Sequence, residues 1–292
     1  MLWSLFALGQ LPSQPPPAPA PVERELATGN SPVDKQIQSQ QKAGNWGGVA
    51  DLIEALDSRG RGLRLGTWLD ALRKSGRWAR LGEVLDAVIP QLDALGRPAG
   101  TERLLRAQAH EKLGQPREAL EIYLKLGDLG DATAFTLAGN LASRLEDHAS
   151  LLRAAEGLCA KVPKSPEGWA WRGEALFRQG KYLEAEPYFL ASVDLDPKQG
   201  SAWVNISGCR NTRKAYAEAI EAADRALALD PKKLEARFNR ALALFGLKRY
   251  PEGREDMVLA LALNPSDPQT RALIETNIQM ADTYLAARPK KR

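Results

Sequence analysis

Apolar, small and turn-forming positions recur with a period of 34 residues through the C-terminal part of the chain. Five columns agree over three copies: Trp169, Trp203 and Arg237; Gly173, Ser207 and Ala241; Tyr182, Tyr216 and Tyr250; Ala185, Ala219 and Gly253; Pro197, Pro231 and Pro265. Self-similarity at such a period is typical of stacked structural repeats. The chain is therefore predicted to be a repeat protein.

Each column has a physical role in an antiparallel pair of helices. Small residues such as Gly173, facing Ala185, let two helices approach closely, which larger side chains would prevent. Gly180 follows the first helix of its copy, where a residue in the left-handed conformation closes a helix. Pro197 ends the second helix, since proline removes a hydrogen-bond donor and restricts the residue before it. We therefore expect each copy to be a helical hairpin.

The best copy, residues 166–199, resembles the tetratricopeptide repeat, whose pattern is Trp, Leu-Gly and Tyr on a first helix, then Ala, Phe and a terminal Pro on a second. The matching residues are Trp169, Gly173, Ala185, Phe189 and Pro197. The resemblance implies an all-α fold, a right-handed superhelical solenoid in which the first helices of the hairpins line a concave groove.

Working backwards from this copy, the repeats weaken but continue, with Trp78 and Trp46 where later copies have Tyr. The solenoid is predicted to cover residues 30–287. It is expected to comprise seven hairpins and a capping helix, at 30–61, 62–99, 100–131, 132–165, 166–199, 200–233, 234–267 and 268–287. The basic residues 288–292 are predicted to be a tail.

The N-terminus differs from the rest of the chain. Residues 1–10 are apolar and signal-like, and residues 11–29 form a linker whose six prolines exclude helix and sheet. The segment lacks a preceding Lys or Arg and is shorter than usual signal peptides, so a cytoplasmic protein with an apolar terminus is the alternative. Export, including a periplasmic location, is slightly favoured. No apolar run is long enough to predict a transmembrane segment.

Composition narrows the chemistry. The 292 residues carry 40 basic and 36 acidic side chains, and this surplus of +4 is too small for a chain built to neutralise many phosphates, so nucleic acid is not a predicted partner. Two cysteines and two histidines leave little for metal or nucleophilic chemistry. We therefore expect no enzyme activity, no cofactor and no metal site.

The resemblance implies which side chains face the groove. The candidate peptide-binding residues are Trp171, Glu174, Phe177, Asn205, Phe238, Asn239 and Phe245. Asn205 and Asn239 occupy one column and resemble the asparagine ladder with which some family members hold a peptide backbone, since an amide donates and accepts at once. The aromatic residues would hold apolar side chains. Alternatively, they fill space between neighbouring hairpins, above all Phe177 and Phe245.

In this family, co-chaperones hold the C-terminus of large chaperones with a carboxylate clamp. Most of the residues that form the clamp are missing from this sequence. The clamp needs Lys and Asn on one first helix, Asn on the next, and Lys and Arg on the third. The corresponding residues here are Ala170 and Glu174, then Asn205, then Glu235 and Asn239. Only Asn205 matches, so a chaperone C-terminus is not an expected ligand.

Three structural expectations follow for single residues. Trp169 is expected in the core. Arg240 is expected to pair with Asp256, as an arginine in this column commonly does in the family. Cys159 and Cys209 lie one whole hairpin apart and are expected to remain unpaired.

The predicted function is a non-catalytic scaffold, adaptor or assembly factor that binds an extended segment of a protein partner in the groove. The alternative is a subunit of an enzyme or of a nucleic-acid-binding complex that uses the basic N-terminal repeats. The basic positions there are Arg59, Arg61, Arg64, Arg73, Lys74, Arg77 and Arg80, interleaved with Trp68 and Trp78. A solvated charged face explains the same run.

Overall fold

A computed structural model describes residues 31–287, and this part of the chain contains helices and turns but no strand. The predicted all-α repeat fold is confirmed there. The signal-like segment 1–10, the linker 11–29 and the tail 288–292 lie outside the described residues.

The helices follow one another with short connections. The first seven are α1 (Pro32–Lys42), α2 (Trp46–Glu54), α3 (Ser58–Leu63), α4 (Leu65–Lys74), α5 (Trp78–Ala94), α6 (Gly100–Lys112) and α7 (Pro116–Asp128). They are followed by α8 (Ala132–Arg144), α9 (His148–Lys161), α10 (Pro166–Arg178), α11 (Tyr182–Leu195), α12 (Gly200–Thr212), α13 (Tyr216–Leu229), α14 (Leu234–Gly246), α15 (Tyr250–Ala262) and α16 (Pro268–Ala286).

Two compact units divide the chain between Ile122 and Tyr123. In the N-terminal unit, Val49, Ile53 and Leu72 are fully buried in one core cluster formed by α1, α2, α4, α5 and α6. A separate ion pair supports the first helix, since Arg64 donates to Asp34 at 2.8 Å.

In the C-terminal unit, each helix packs mainly on its neighbours along the chain. The first helices of consecutive hairpins also contact one another in the order α8, α10, α12 and α14. These four helices therefore form a continuous layer, on which the candidate site is built.

The turns inside the hairpins share one backbone conformation. Gly180 has φ of +76°, which confirms the prediction for this turn. Lys214 and Lys248, 34 and 68 residues further on, adopt φ of 63° and 60° although they carry a Cβ. The geometry of the repeat therefore requires the left-handed conformation even where glycine is absent.

The small-residue columns pack as predicted in two copies. The buried Ser207 hydroxyl donates to the carbonyl of Ala219 at 2.8 Å. A Cβ added at Gly253 would lie 3.0 Å from the Ala241 carbonyl oxygen. Facing small residues therefore set the distance between the two helices of a hairpin.

The Trp169 column joins one hairpin to the next. The indole N–H of Trp169 donates to the Pro163 carbonyl, and that of Trp203 to the Pro197 carbonyl, each at 2.9 Å. Arg237 donates to Pro231 in the same way, at 2.8 Å. We call this recurring bond the clasp. The prediction that Trp169 is a core residue is wrong, because its side chain is only half-buried and stacks on Tyr188.

The expected ion pair is confirmed. Arg240 donates twice to the buried Asp256, at 2.7 Å for each bond, and once to Asp224 at 2.6 Å. The hydrogen bonds to Asp256 raise the pKa of Arg240 above its ordinary value.

Cys159 and Cys209 are both free thiols, as expected. Burial, followed by the nearby carboxylate of Glu186, raises the pKa of Cys209 to about 12. Because the thiolate is the reactive form of cysteine, this shift disfavours reaction of Cys209 at neutral pH.

Candidate functional site

An open cavity of about 360 Å³ lies along α10, α12, α14 and α16 in the C-terminal unit. Its lining is Glu174, Phe177 and Arg178 from α10; Val204 and Asn205 from α12; Leu234, Glu235, Phe238 and Asn239 from α14; and Thr270 and Leu273 from α16. We call this cavity the groove pocket. Apolar side chains dominate it, with two amides and three charged groups at defined positions.

Five of the seven predicted site residues line the groove pocket: Glu174, Phe177, Asn205, Phe238 and Asn239. Trp171 and Phe245 do not line it, and each is only 9% exposed. A Cβ added at Gly139 would lie 2.4 Å from the Trp171 ring, and one at Gly253 would lie 2.6 Å from the Phe245 ring. Trp171 therefore packs against the neighbouring hairpin, which is the alternative stated above, whereas Phe245 packs against the second helix of its own hairpin.

Phe177 both lines the groove pocket and packs within the array. Its ring meets the edge of Tyr182 at a centroid distance of 4.9 Å. A Cβ at Gly208 would lie only 3.3 Å from the same ring. Glycine at this position of α12 therefore leaves room for the ring against the helix backbone.

The two asparagines of the predicted ladder differ in their partners. Asn239 donates from its side-chain amide to the Val204 backbone carbonyl at 3.0 Å, and its backbone carbonyl accepts from the Asn211 side-chain amide at 2.8 Å. Asn239 therefore links α14 to α12. The side chain of Asn205 makes no hydrogen bond within residues 31–287, and its amide remains able to donate and accept.

The charged groups of the groove pocket also differ. Glu174 accepts from the Ser143 hydroxyl at 3.2 Å, and Glu235 lies 3.4 Å from the Lys233 ammonium. Arg178 is exposed and has no carboxylate, carbonyl or ring partner among the described residues.

Two family models of the tetratricopeptide repeat match the chain, one at residues 136–200 and the other at residues 210–278. These segments contain α10, α14 and the part of α16 that lines the groove pocket, whereas Val204 and Asn205 on α12 lie between them. The chain is a tetratricopeptide repeat protein. The repeat supports a general role as a scaffold for protein–protein interaction, and proteins built from it are typically non-catalytic.

Curated relatives share a limited segment with this repeat protein. Protein O-mannosyl-transferase TMTC1 of Mus musculus is 31% identical over 133 residues, which are 44% of this chain and 14% of that protein. The Homo sapiens protein of the same name is 28% identical over 133 residues, 44% of this chain and 15% of its own length. The chain thus spans about a seventh of the length of these relatives.

Solved structures support the repeat fold. A crystal structure of MamA protein superposes with a TM-score of 0.51 and 16% identity, covering 56% of this chain and 91% of that one. A MamA RS-1 double mutant has a TM-score of 0.51 and 18% identity, covering 57% and 97%. At such identities the similarity shows the fold alone.

Six residues that line the groove pocket are not among the seven candidate residues: Arg178, Val204, Leu234, Glu235, Thr270 and Leu273. Leu234 begins α14, and Thr270 and Leu273 lie on α16, which was treated only as a cap. An available signal was the apolar spacing of α16, because Leu273 and Ile274 point to different sides of the helix. Ile274 is fully buried, whereas Leu273 is half-exposed and faces the pocket.

The basic run of the N-terminal repeats is largely paired inside its own unit. Arg77 contacts Asp51 at 2.6 Å, and Arg80 contacts Glu54 at 2.9 Å. The Lys74 ammonium contacts Asp70 at 2.8 Å and lies 3.8 Å from the centre of the Trp46 ring. These charges are therefore engaged within the protein.

Two further searches cover the part of the chain that the structure describes. No group of three or more His, Cys, Asp or Glu side chains is arranged there to hold a metal ion. None of the helices there combines the length and apolar character needed to span a membrane.

Proposed function

We propose that this repeat protein is a non-catalytic scaffold or assembly factor that binds an extended segment of a partner protein in the groove pocket. The observation that carries the proposal is the combination of apolar rings with an unengaged amide, presented by consecutive first helices and α16. Apolar pockets with a few placed polar groups are the usual form of a recognition site.

Two side chains have distinct tasks in this proposal. Phe238 receives an apolar side chain of the ligand, because its ring is half-buried and faces the pocket. Asn205 donates to and accepts from the ligand backbone, which an extended segment leaves unpaired. Asn239 contributes less, since one of its two N–H groups is already bound to Val204.

We do not extend the transferase activity of the TMTC1 relatives to this chain. The matched segment is 14% of the mouse protein. The family models that match this chain describe its repeats. The groove pocket also lacks the converging titratable pairs on which catalytic sites depend. The alternative of a nucleic-acid-binding complex is less well supported, because the basic side chains that it would use are paired with acids of their own unit.

Selection of random peptides displayed on phage against the full chain tests the proposal. Peptides selected on the wild type are then measured on Phe238→Ala and Asn205→Ala. Affinity should fall about tenfold or more for Phe238→Ala, which removes an apolar contact, and roughly threefold to tenfold for Asn205→Ala, which leaves a backbone group unpaired.

Leu183→Ala is the matched control. Leu183 is 68% exposed on α11, does not line the groove pocket, and loses a similar apolar group. It should bind the selected peptides as the wild type does. Peptides that bind Phe238→Ala and Asn205→Ala with unchanged affinity would place the interaction elsewhere and overturn the proposal.

A further inference from the structure

Arg178 differs from the other arginines of the C-terminal unit. The others within residues 123–287 each contact a carboxylate, a carbonyl, a ring or another partner; they are Arg144, Arg153, Arg172, Arg210, Arg213, Arg225, Arg237, Arg240, Arg249, Arg254 and Arg271. Arg178 lines the groove pocket without such a contact. This cation is therefore available to a ligand.

The neighbouring acids do not satisfy Arg178. Glu174 lies one helical turn earlier on α10, the spacing at which helical ion pairs form, yet its carboxylate accepts from the Ser143 hydroxyl on α8. Glu235 lies near Lys233 on its own segment. The pocket lining thus presents two charged groups without an ion-pair partner among the described residues, the Arg178 cation in the last turn of α10 and the Glu174 carboxylate one turn before it.

Apolar surface adjoins this cation. Phe177 precedes Arg178 in the chain, and Phe238 and Leu273 line the same cavity from α14 and α16. A ligand that pairs with Arg178 and continues along the pocket would therefore pass over these apolar side chains.

We propose that the groove pocket selects extended protein segments in which one acidic side chain lies within about two residues of a large apolar side chain. The acid pairs with Arg178, and the apolar side chain enters between Phe177 and Phe238. This inference rests on the proposed function. It assigns the acid to a side chain within the segment because the lysines and arginine that hold a C-terminal carboxylate in the clamp are missing from these repeats.

An array of short peptides, acetylated at the N-terminus and amidated at the C-terminus, tests the selectivity of the full chain. Each peptide carries one Phe or Leu and, within two residues, Glu, Gln or Lys in otherwise identical sequences. Fluorescence anisotropy then gives the affinities of the tightest Glu peptide and its matched partners. We expect the Glu peptide to bind roughly twofold to fivefold tighter than its Gln partner, the range of a partly exposed ion pair, and the Lys peptide to bind weakest.

Variants of Arg178 complete the test. Arg178→Gln should abolish the preference for Glu over Gln, and Arg178→Glu should reverse it in favour of Lys. The control is Arg117→Gln, which removes an exposed arginine that does not line the pocket and should keep the preference. A Tm measured for each variant separates this effect from the general stabilising effect of a cation in the last turn of a helix.

The outcomes separate the two proposals. If the Glu and Gln peptides bind equally, and both lose affinity in Phe238→Ala, the selectivity for acid is wrong while peptide binding in the pocket stands. If the preference for Glu persists in Arg178→Gln, the assignment of Arg178 is wrong. If no peptide of the array binds, or if binding is indifferent to Phe238→Ala, both proposals fail.

Discussion

At the scale of single residues, the clasp explains a column that the sequence alone misassigns. The side chains of Trp169 and Arg237 differ in shape and polarity, but each donates a hydrogen bond to the carbonyl of a proline six residues earlier. This position therefore requires a side chain that is long enough to bring an N–H group to the proline carbonyl. Periodicity shows that a position recurs, but not which atom of the side chain is used, so a recurring tryptophan was expected in the core.

Trp169→Phe isolates that donor. The phenyl ring retains a stacking surface for Tyr188 and loses the N–H that binds Pro163. The free energy of unfolding should fall by about 0.5–1.5 kcal/mol, the net value of one hydrogen bond. Urea unfolding followed by circular dichroism measures the change.

Tyr188→Phe is the matched control for this measurement. It removes a hydroxyl from the stacked ring, and that hydroxyl makes no hydrogen bond within the described residues. It should change stability by less than Trp169→Phe does. Equal effects of the two substitutions would contradict the clasp as a stabilising bond.

At the scale of the hairpin, small residues govern how closely two helices pack. Gly173 on α10 faces Phe189 on α11, and a Cβ at Gly173 would lie 2.9 Å from the ring. Phe189 is fully buried and has little room to move. Ser207 and Ala241, in the same column, show that the allowed size depends on what the second helix presents.

Gly173→Ala is expected to destabilise the protein by about 1–3 kcal/mol, as overpacking of a filled core does, although alanine is the better helix former. Gly66→Ala is the control, because no atom lies within 4 Å of the added Cβ at that exposed helical position. It should be neutral or slightly stabilising. Thermal and urea unfolding measure both, and a neutral Gly173→Ala would contradict the close packing of α10 on α11.

The hairpin is also the scale at which sequence prediction worked best. Proline ends, small columns and the turn at Gly180 follow from local chemistry repeated every 34 residues. The left-handed Lys214 and Lys248 did not follow, because an isolated lysine carries no preference for that conformation. The bond from Asn239 to Val204 was missed since it joins neighbouring hairpins, whose separation is not written in the period. The contribution of α16 to the groove pocket was missed for the same reason.

At the scale of the whole molecule, one of the two compact units holds an ion pair that links its stability to pH. In the N-terminal unit, Asp34 caps α1 together with Ser31 and pairs with the buried Arg64. Burial alone would raise the pKa of Asp34, but hydrogen bonds from Arg64 and Ser31 outweigh it, and the pKa lies below its ordinary value of 3.8. Stability from this group is therefore full above the unfolded-state pKa and is lost as pH falls toward the lower folded-state pKa.

Asp34→Asn should lower the free energy of unfolding at pH 7 and weaken its decline between about pH 5 and pH 3. Urea unfolding at several pH values measures this dependence. Asp194→Asn, at an exposed position outside the N-terminal unit, should leave the dependence as in the wild type. If Asp34→Asn retains the wild-type slope, Asp34 does not couple folding to protonation.

The constant six-residue reach of the clasp determines which changes in chain length the array tolerates. One residue inserted between Pro197 and Trp203 would move the indole out of reach of its carbonyl. Removal of residues 200–233 would instead bring Arg237 to the sixth position after Pro197, with a side chain that already makes this bond to Pro231. The array can therefore gain or lose one full copy of 34 residues and still form the clasp at the new junction between hairpins.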